Sequence, residues 1–163
     1  MKPVTGPLKT IFETVDIPFH KVPNRPELQA RLEDPNPSVR RHAQFLLAKI
    51  ERDGKLPGHY PYPVQIWQFG GAMKMIVLGG EVVVDYSLRL KSQYGADNTW
   101  VAAYANDVFA YIPSRRVLNE GGYEGGGAMI PYGQPGAFGA AVEEIIIEKI
   151  ADMVERTGPA RAK

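Results

Sequence analysis

A carboxylate at the end of a hydrophobic stretch is the first candidate for chemistry in this sequence. Glu81 directly follows MKMIVL and Gly79-Gly80, so it stands at a predicted strand end beside two small residues that let a ligand approach closely. A second interpretation is equally open, because Glu81 also precedes a predicted helix, whose dipole attracts a carboxylate. Since the chain has no cysteine, any metal site must use histidine, carboxylate or phenolate ligands.

Tyr111 and Tyr123 are the next candidates. They lie in a long segment between Tyr104 and the last predicted helix, which is rich in glycine, proline and tyrosine and poor in charge. Long loops in compact domains are usually functional or disordered, and we interpret this one as ordered and functional. On spacing alone, however, packing with a satisfied hydroxyl explains each tyrosine better than a chemical role does.

The glycine-rich run and the histidines give weaker signals. GGYEGGG at 121–127 lacks the Lys-Ser/Thr ending of a phosphate-binding loop and the strand–loop–helix register, so we predict a tightly turned or flexible substrate loop there. His20, His42 and His59 share no metal-ligand spacing. His42 follows Arg40-Arg41 on a predicted helix, which favours a solvated face.

Composition limits the class of protein. The 163 residues suffice for one domain with a sizeable core, and the net charge of +1 gives no reason to expect nucleic acid or an anionic membrane as partner. MKPVTGPLKT has no apolar stretch after its charge, so we predict no signal peptide, and no apolar run is long enough to span a membrane.

The helices and strands that must position these side chains are predicted from the spacing of apolar residues and from glycine, proline and capping residues. The pattern predicts a mixed α and β domain, a β-sheet with flanking helices. Asn36 or Ser38 can cap one helix, which Gly54 ends, and Gly70-Gly71 joins two strands as a hairpin. Strands are predicted at 8–19, 64–69, 73–78 and 99–104, helices at 24–33, 36–53, 83–94, 114–119 and 140–156, and a turn-rich connector at 56–63.

Two stretches together resemble a known family. YPVQIWQFGGAMKMIVLGGEVVVDYSLRLK at 62–91 and YANDVFAYIPSRRVLNEGGYEGG at 104–126 are similar to the later half of the catalytic domain of neutral/alkaline non-lysosomal ceramidases. The shared features are Gly-Glu after a hydrophobic strand, Arg-Leu in the next helix, and Tyr–x11–Tyr-Glu-Gly. The resemblance implies that residues 61–156 are the C-terminal part of a larger ceramidase-like catalytic domain, with a strand and helical connecting region at 1–60 and a tail at 157–163.

The resemblance also implies roles for the three candidates. Glu81 and Tyr111 match zinc ligands, and Tyr123 matches the catalytic tyrosine over the substrate carbonyl. A dication favours the ionised form of a phenol, and zinc lowers the pKa of bound water to about 7, which supplies a nucleophile for amide hydrolysis. Tyr123 would donate a hydrogen bond to the developing oxyanion. The implied substrate is ceramide or a similar N-acylated, lipid-like compound.

This sequence lacks part of the implied site. The family also uses histidines from an earlier half of the domain, together with a catalytic histidine and a substrate-positioning arginine, and that segment is absent here. We therefore expect a fragment, inactive alone, whose partner is the missing N-terminal half and whose apolar surface is partly uncovered. Full-length relatives are often secreted or periplasmic, but we predict no targeting signal in this sequence. The alternative is a non-catalytic α/β binding or assembly module that kept the fold.

Overall fold

A four-stranded mixed sheet with flanking helices forms the centre of the structure, a computed structural model in which residues 3–158 are described. The predicted mixed α/β class is confirmed. The strands are β1 (Leu8–Pro18), β2 (His59–Phe69), β3 (Met73–Leu78) and β5 (Thr99–Ala102), in that spatial order. A separate pair consists of β4 (Glu81–Val82) and β6 (Tyr111–Ile112).

The main sheet combines both pairing directions. β1 and β3 flank β2 in antiparallel pairing, and β5 runs parallel to β3. β2 begins at His59, inside the region predicted as a turn-rich connector. Pro61 and Pro63 are tolerated there because β3 pairs with β2 only from Val64 onward, so their missing N–H groups leave no ladder bond unmade on that side. The predicted boundary between residues 60 and 61 thus falls within one strand.

The helices begin and end close to the predicted positions. Asn24 caps the first helix in a reciprocal arrangement with Glu27, Asn36 caps the second, and Gly54 ends it with φ +80°. The helices are α1 (Arg25–Ala30), α2 (Pro37–Asp53), α3 (Val84–Tyr94), α4 (Arg115–Glu120), α5 (Gly122–Gly125) and α6 (Val142–Thr157). Short 3-10 turns occupy Arg31–Glu33, Ala96–Asn98 and Gly127–Met129. Of the predicted tail, residues 159–163 lie outside the described residues, and Thr157 is the buried last residue of α6.

The main core lies on one face of the sheet. α6 packs across β1 and β2, and its fully buried Ile146 and Ile150 belong to the same apolar cluster as Ile17 and Ile66. The strand register places Trp67 and Trp100 on the opposite face, the same face as Phe12. Phe12 and Trp100 remain 52% and 59% exposed. Apolar surface is therefore uncovered on this face of the sheet.

A charged junction ties the last helix to the rest of the fold. The Arg89 guanidinium on α3 donates to Glu143 at 2.7 Å and to Glu144 at 2.7 and 2.8 Å, both at the start of α6. Glu143 also accepts from the Arg115 backbone N–H at 2.7 Å. Arg89, one of the residues behind the resemblance, thus joins α3 to α6, and Glu143 extends the junction to the start of α4. Within residues 3–158, no helix is both long and apolar enough to cross a membrane.

Candidate functional site

The small parallel pair β4–β6 brings two of the three predicted site residues together. Glu81 lies directly opposite Tyr111, and Val82 lies opposite Ile112. The Glu81 backbone N–H donates to the carbonyl of Ala110 at 2.9 Å, and the Val83 N–H donates to that of Ile112 at 3.3 Å. Residues thirty positions apart in the sequence therefore become neighbours across one ladder.

Gly80 makes this close pairing possible. Its φ is +72°, and a Cβ built there would lie 2.8 Å from both the Ala110 carbonyl oxygen and the Ile112 Cγ1. Only glycine adopts such a backbone at no steric cost and also leaves room for β6 to approach. The Gly79-Gly80 pair before Glu81 is therefore explained by the backbone of the site.

The Glu81 carboxylate accepts hydrogen bonds from several phenols. Tyr104 Oη donates to one carboxylate oxygen at 2.6 Å, and Tyr132 Oη donates to the other. The Tyr111 phenol lies across the ladder from the same carboxylate. Tyr104, Tyr132 and Tyr111, in that order of effect, lower the pKa of Glu81, because each stabilises the ionised carboxylate. Glu81 is thus an anion held in place by phenol donors.

The same carboxylate raises the pKa of its tyrosine partners. The hydrogen bond to Glu81 is the main cause in each case, and it moves the pKa of Tyr111 and of Tyr132 to about 12. The pKa of Tyr104 rises for the same reason. A phenolate beside an anionic carboxylate would be repelled, so without a cation these three side chains are donors. A cation among these oxygens would reverse that preference for the phenol it contacts.

Tyr123 lies next to Tyr111, at the outside of this cluster. Its ring packs edge-on against Tyr111, with centroids 5.6 Å apart and planes at 70°. It lies on the four-residue helix α5, formed within the glycine run 121–127, and its side chain is 52% exposed. The run is thus tightly turned and presents an aromatic side chain beside the carboxylate cluster. Whether Glu81, Tyr111 and Tyr123 bind metal or act in catalysis stays a prediction.

A strained loop delivers Tyr104 to the cluster. Tyr104 and Asn106 have φ values of +56° and +67°, a backbone region uncommon for a bulky side chain such as tyrosine. The Tyr104 N–H donates to the Gly80 carbonyl at 3.0 Å, and Tyr60 Oη donates to the Asp107 carboxylate. These bonds hold the loop against the strand ends. Strain maintained in this way is typical of functional sites.

Sequence reasoning missed Tyr104 and Tyr132 as parts of the cluster. Tyr104 was predicted to end a strand, but the strand stops at Ala102. Tyr132 lies in the turn after the 3-10 segment, where neither strand nor helix periodicity applies. The one available signal was the number of tyrosines in a long glycine-rich segment, and it does not indicate which of them converge.

The histidines stand apart from this cluster. The prediction that His42 lies on a solvated face is wrong, since it is only 6% exposed and its Nε2 lies 2.8 Å from the Gln134 carbonyl. A carbonyl can only accept, so Nε2 carries the proton, and desolvation lowers the pKa of His42. The segment around Gln134 folds back over α2 and covers a side chain that helical periodicity placed outside. His59 is exposed and pairs with Asp16 at 3.0 Å, and His20 is exposed.

The donor set fits part of a zinc site. Glu81 and Tyr111 supply hard oxygen donors, but zinc usually takes three or four protein ligands. Among residues 3–158, no group of three or more histidine, cysteine, aspartate or glutamate side chains is arranged to hold a metal. Glu81 and Tyr111 would thus be two of the three or four ligands that such a site requires.

Comparison with known proteins gives no match: no family model, no curated protein and no solved structure is significantly similar to the chain.

Proposed function

We propose that this chain is the C-terminal portion of a zinc-dependent amidohydrolase that cleaves the amide bond of ceramide or a similar N-acylated, lipid-like compound. The observation that carries the proposal is the pairing of Glu81 with Tyr111 across β4 and β6, which makes a carboxylate and a phenol neighbours on one ladder. The family resemblance assigned zinc-ligand roles to these same two residues. Their proximity was not evident from the sequence, where thirty positions separate them.

Each side chain has a definite task in this proposal. Glu81 is already ionised and oriented by Tyr104 and Tyr132, so it can face a cation without further rearrangement. A bound cation would favour the phenolate form of Tyr111, whose proton would pass to water. Zinc, when bound, supplies Lewis-acid activation of water and of the amide carbonyl. The remaining ligands would be imidazoles from a protein segment outside these 163 residues.

Tyr123 is suited to act on the substrate. Its exposure leaves the phenol accessible, and its ring contact with Tyr111 keeps it beside the carboxylate cluster. A neutral phenol at that place can donate a hydrogen bond to the oxygen that becomes negative as the amide carbonyl is attacked. Losing one such donor typically lowers kcat by a factor of about 100 to 1,000.

The test is reconstitution with the histidine-bearing half. The chain would be co-expressed with a segment encoding that half, and hydrolysis of a fluorogenic ceramide would be measured with and without a chelator. We expect chelator-sensitive activity, loss of bound zinc in Glu81→Gln and Tyr111→Phe, and normal zinc with reduced kcat in Tyr123→Phe.

Tyr94→Phe is the matched control for that experiment, because Tyr94 lies at the end of α3, where Lys74 stacks on its ring, and is not part of the cluster. Full zinc content and full activity in Tyr111→Phe would refute the assignment. Chelator-resistant hydrolysis would refute the metal dependence.

A second candidate is a non-catalytic binding module, and one observation favours it. An anionic carboxylate bonded by Tyr104 and Tyr132, with Tyr111 beside it and Tyr123 packed on Tyr111, resembles the aromatic sites that recognise organic ammonium ions. Two of these rings are more than half exposed, so a ligand can reach them. Tight binding of a tetraalkylammonium ion by the purified chain, with no zinc uptake in the reconstituted pair, would favour this candidate.

A further inference from the structure

A groove separate from the Glu81 carboxylate runs between α2 and the turn that follows the 3-10 segment Gly127–Met129. It has a volume of about 620 Å³ and is open along one side. Phe45 on α2 and the segment Ile130–Gly133 provide its apolar walls, and Ser38 and Arg41 lie at the N-terminal end of α2. This volume lies in the range of about 300–1,000 Å³ that small-molecule sites occupy.

The walls of the groove expose apolar side chains. Phe45 is 53% exposed, and its ring lies against Gly133, where an added Cβ would be only 2.9 Å from the ring. Gly133 has φ +66°, so glycine both permits the turn and leaves the space for the ring. Removing the Phe45 surface from water would favour a ligand with an apolar portion.

The charge at the groove is positive. Arg41 donates to Ser38 Oγ at 3.2 Å, and within the part of the chain that the structure describes no carboxylate lies within ion-pairing distance of it. Arg52, on the same helix, is instead bound to Asp53 at 2.7 and 2.8 Å. The planar guanidinium matches carboxylate and phosphate geometry, so Arg41 retains the capacity to bind such a group.

A second cavity of about 170 Å³ adjoins the groove at His42 and Ile130. Arg31 lines it and also has no ion-paired carboxylate among residues 3–158. His42 lines both cavities, and its Nδ1 is buried without a hydrogen-bond partner in the described structure. With Nε2 bound to the Gln134 carbonyl, the neutral ring adds no charge of its own. Lys21 also lines the second cavity but is paired with Glu27, so the unpaired positive charge comes from the two arginines.

We propose that this groove binds an amphiphilic anion, a molecule whose apolar chain lies along Phe45 and Ile130 and whose carboxylate or phosphate group is held by Arg41. Tyr132 lines the groove while its hydroxyl donates to Glu81, so an occupant would contact the same ring that orients the Glu81 carboxylate. The proposal does not depend on zinc or on amide hydrolysis, because it concerns binding by this chain alone.

Calorimetry with four ligands of equal chain length tests the proposal: dodecanoate, dodecyl phosphate, dodecanol and dodecyltrimethylammonium, each below the concentration at which it self-associates or separates from solution. We expect at least one of the two anions to bind at least about tenfold more tightly than dodecanol, since a charge-assisted hydrogen bond contributes about that factor. Comparison of the two anions identifies the head group. Equal or tighter binding of dodecanol or of the ammonium ion, or no binding of either anion, would overturn the proposal.

Variants locate the site. Arg41→Gln is expected to bring the affinity for the preferred anion to within about twofold of that for dodecanol, whereas Arg52→Gln, the matched control on the same helix, leaves the preference unchanged. Phe45→Ala is expected to weaken the binding of the anions and of dodecanol alike, because it removes apolar surface and no charge. If Arg41→Gln and Arg52→Gln behave alike, the ion pairing is non-specific and the groove is not the site.

Discussion

Replacing Gly80 by alanine should destabilise the protein by more than the same change at another glycine with positive φ. Two costs combine at Gly80. An L-residue with φ near +72° costs about 1–2 kcal/mol. The new Cβ would also lie 2.8 Å from the Ala110 carbonyl oxygen, which is backbone and cannot swing away, and displacement of a packed neighbour costs about 1–3 kcal/mol.

Gly54 provides the comparison. Its φ is +80°, and a Cβ there meets nothing within 4 Å, so Gly54→Ala carries only the conformational cost. We therefore expect the free energy of unfolding, measured in urea, to fall by about 2–5 kcal/mol in Gly80→Ala and by about 1–2 kcal/mol in Gly54→Ala. Equal losses in the two variants would refute the argument that the approach of β6 requires glycine. A larger loss in Gly54→Ala would refute it more strongly.

Two further predictions concern ionisation. Glu81→Gln should lower the pKa of Tyr111 and of Tyr132 from about 12 toward the ordinary 10, because the carboxylate that disfavours the phenolates is gone. ¹³C NMR of labelled tyrosines would follow each titration. Unchanged pKa values would exclude Glu81 as the cause. Glu13 accepts from Arg156 and Lys149, which lower its pKa from 4.5 to about 2, so its folded pKa lies below its unfolded pKa. The difference in the free energy of unfolding between wild type and Glu13→Gln should therefore be constant above about pH 5 and disappear as the pH falls toward 2. Urea unfolding across this range measures that difference. A difference that does not change with pH would contradict the ion pairs.

The sequence predicted the features that depend on local chemistry. Asn36, one of the two predicted caps, and Gly54 mark the ends of α2, because capping is a property of residues within one turn. The two glycines after Phe69 mark the hairpin in the same way, since the turn needs a residue with positive φ, which Gly70 supplies. Binary patterning then predicted which of the longer segments form strands and which form helices.

The candidate site was only partly predictable, because its arrangement depends on contacts between distant segments. β4 and β6 are two residues long, too short for any periodicity, and their parallel pairing forms only when the loop from Tyr104 folds back. Tyr132 reaches Glu81 from a turn with no regular structure. The incorrect placement of His42 has the same origin, since an irregular segment that covers a helix leaves no trace in the pattern of that helix.

The parallel register of Glu81 and Tyr111 makes spacing as important as residue type at this place. Side chains alternate between the two faces of a strand, so a slip of β6 by a single position would set Ala110 or Ile112 across from Glu81. The phenol would then point away, although every tyrosine would still be present in the chain. Shortening the irregular stretch 105–109 by one residue would thus separate the Glu81 carboxylate from the Tyr111 phenol as fully as a mutation of Tyr111 removes that phenol. The length of this stretch should therefore be preserved when the protein is redesigned.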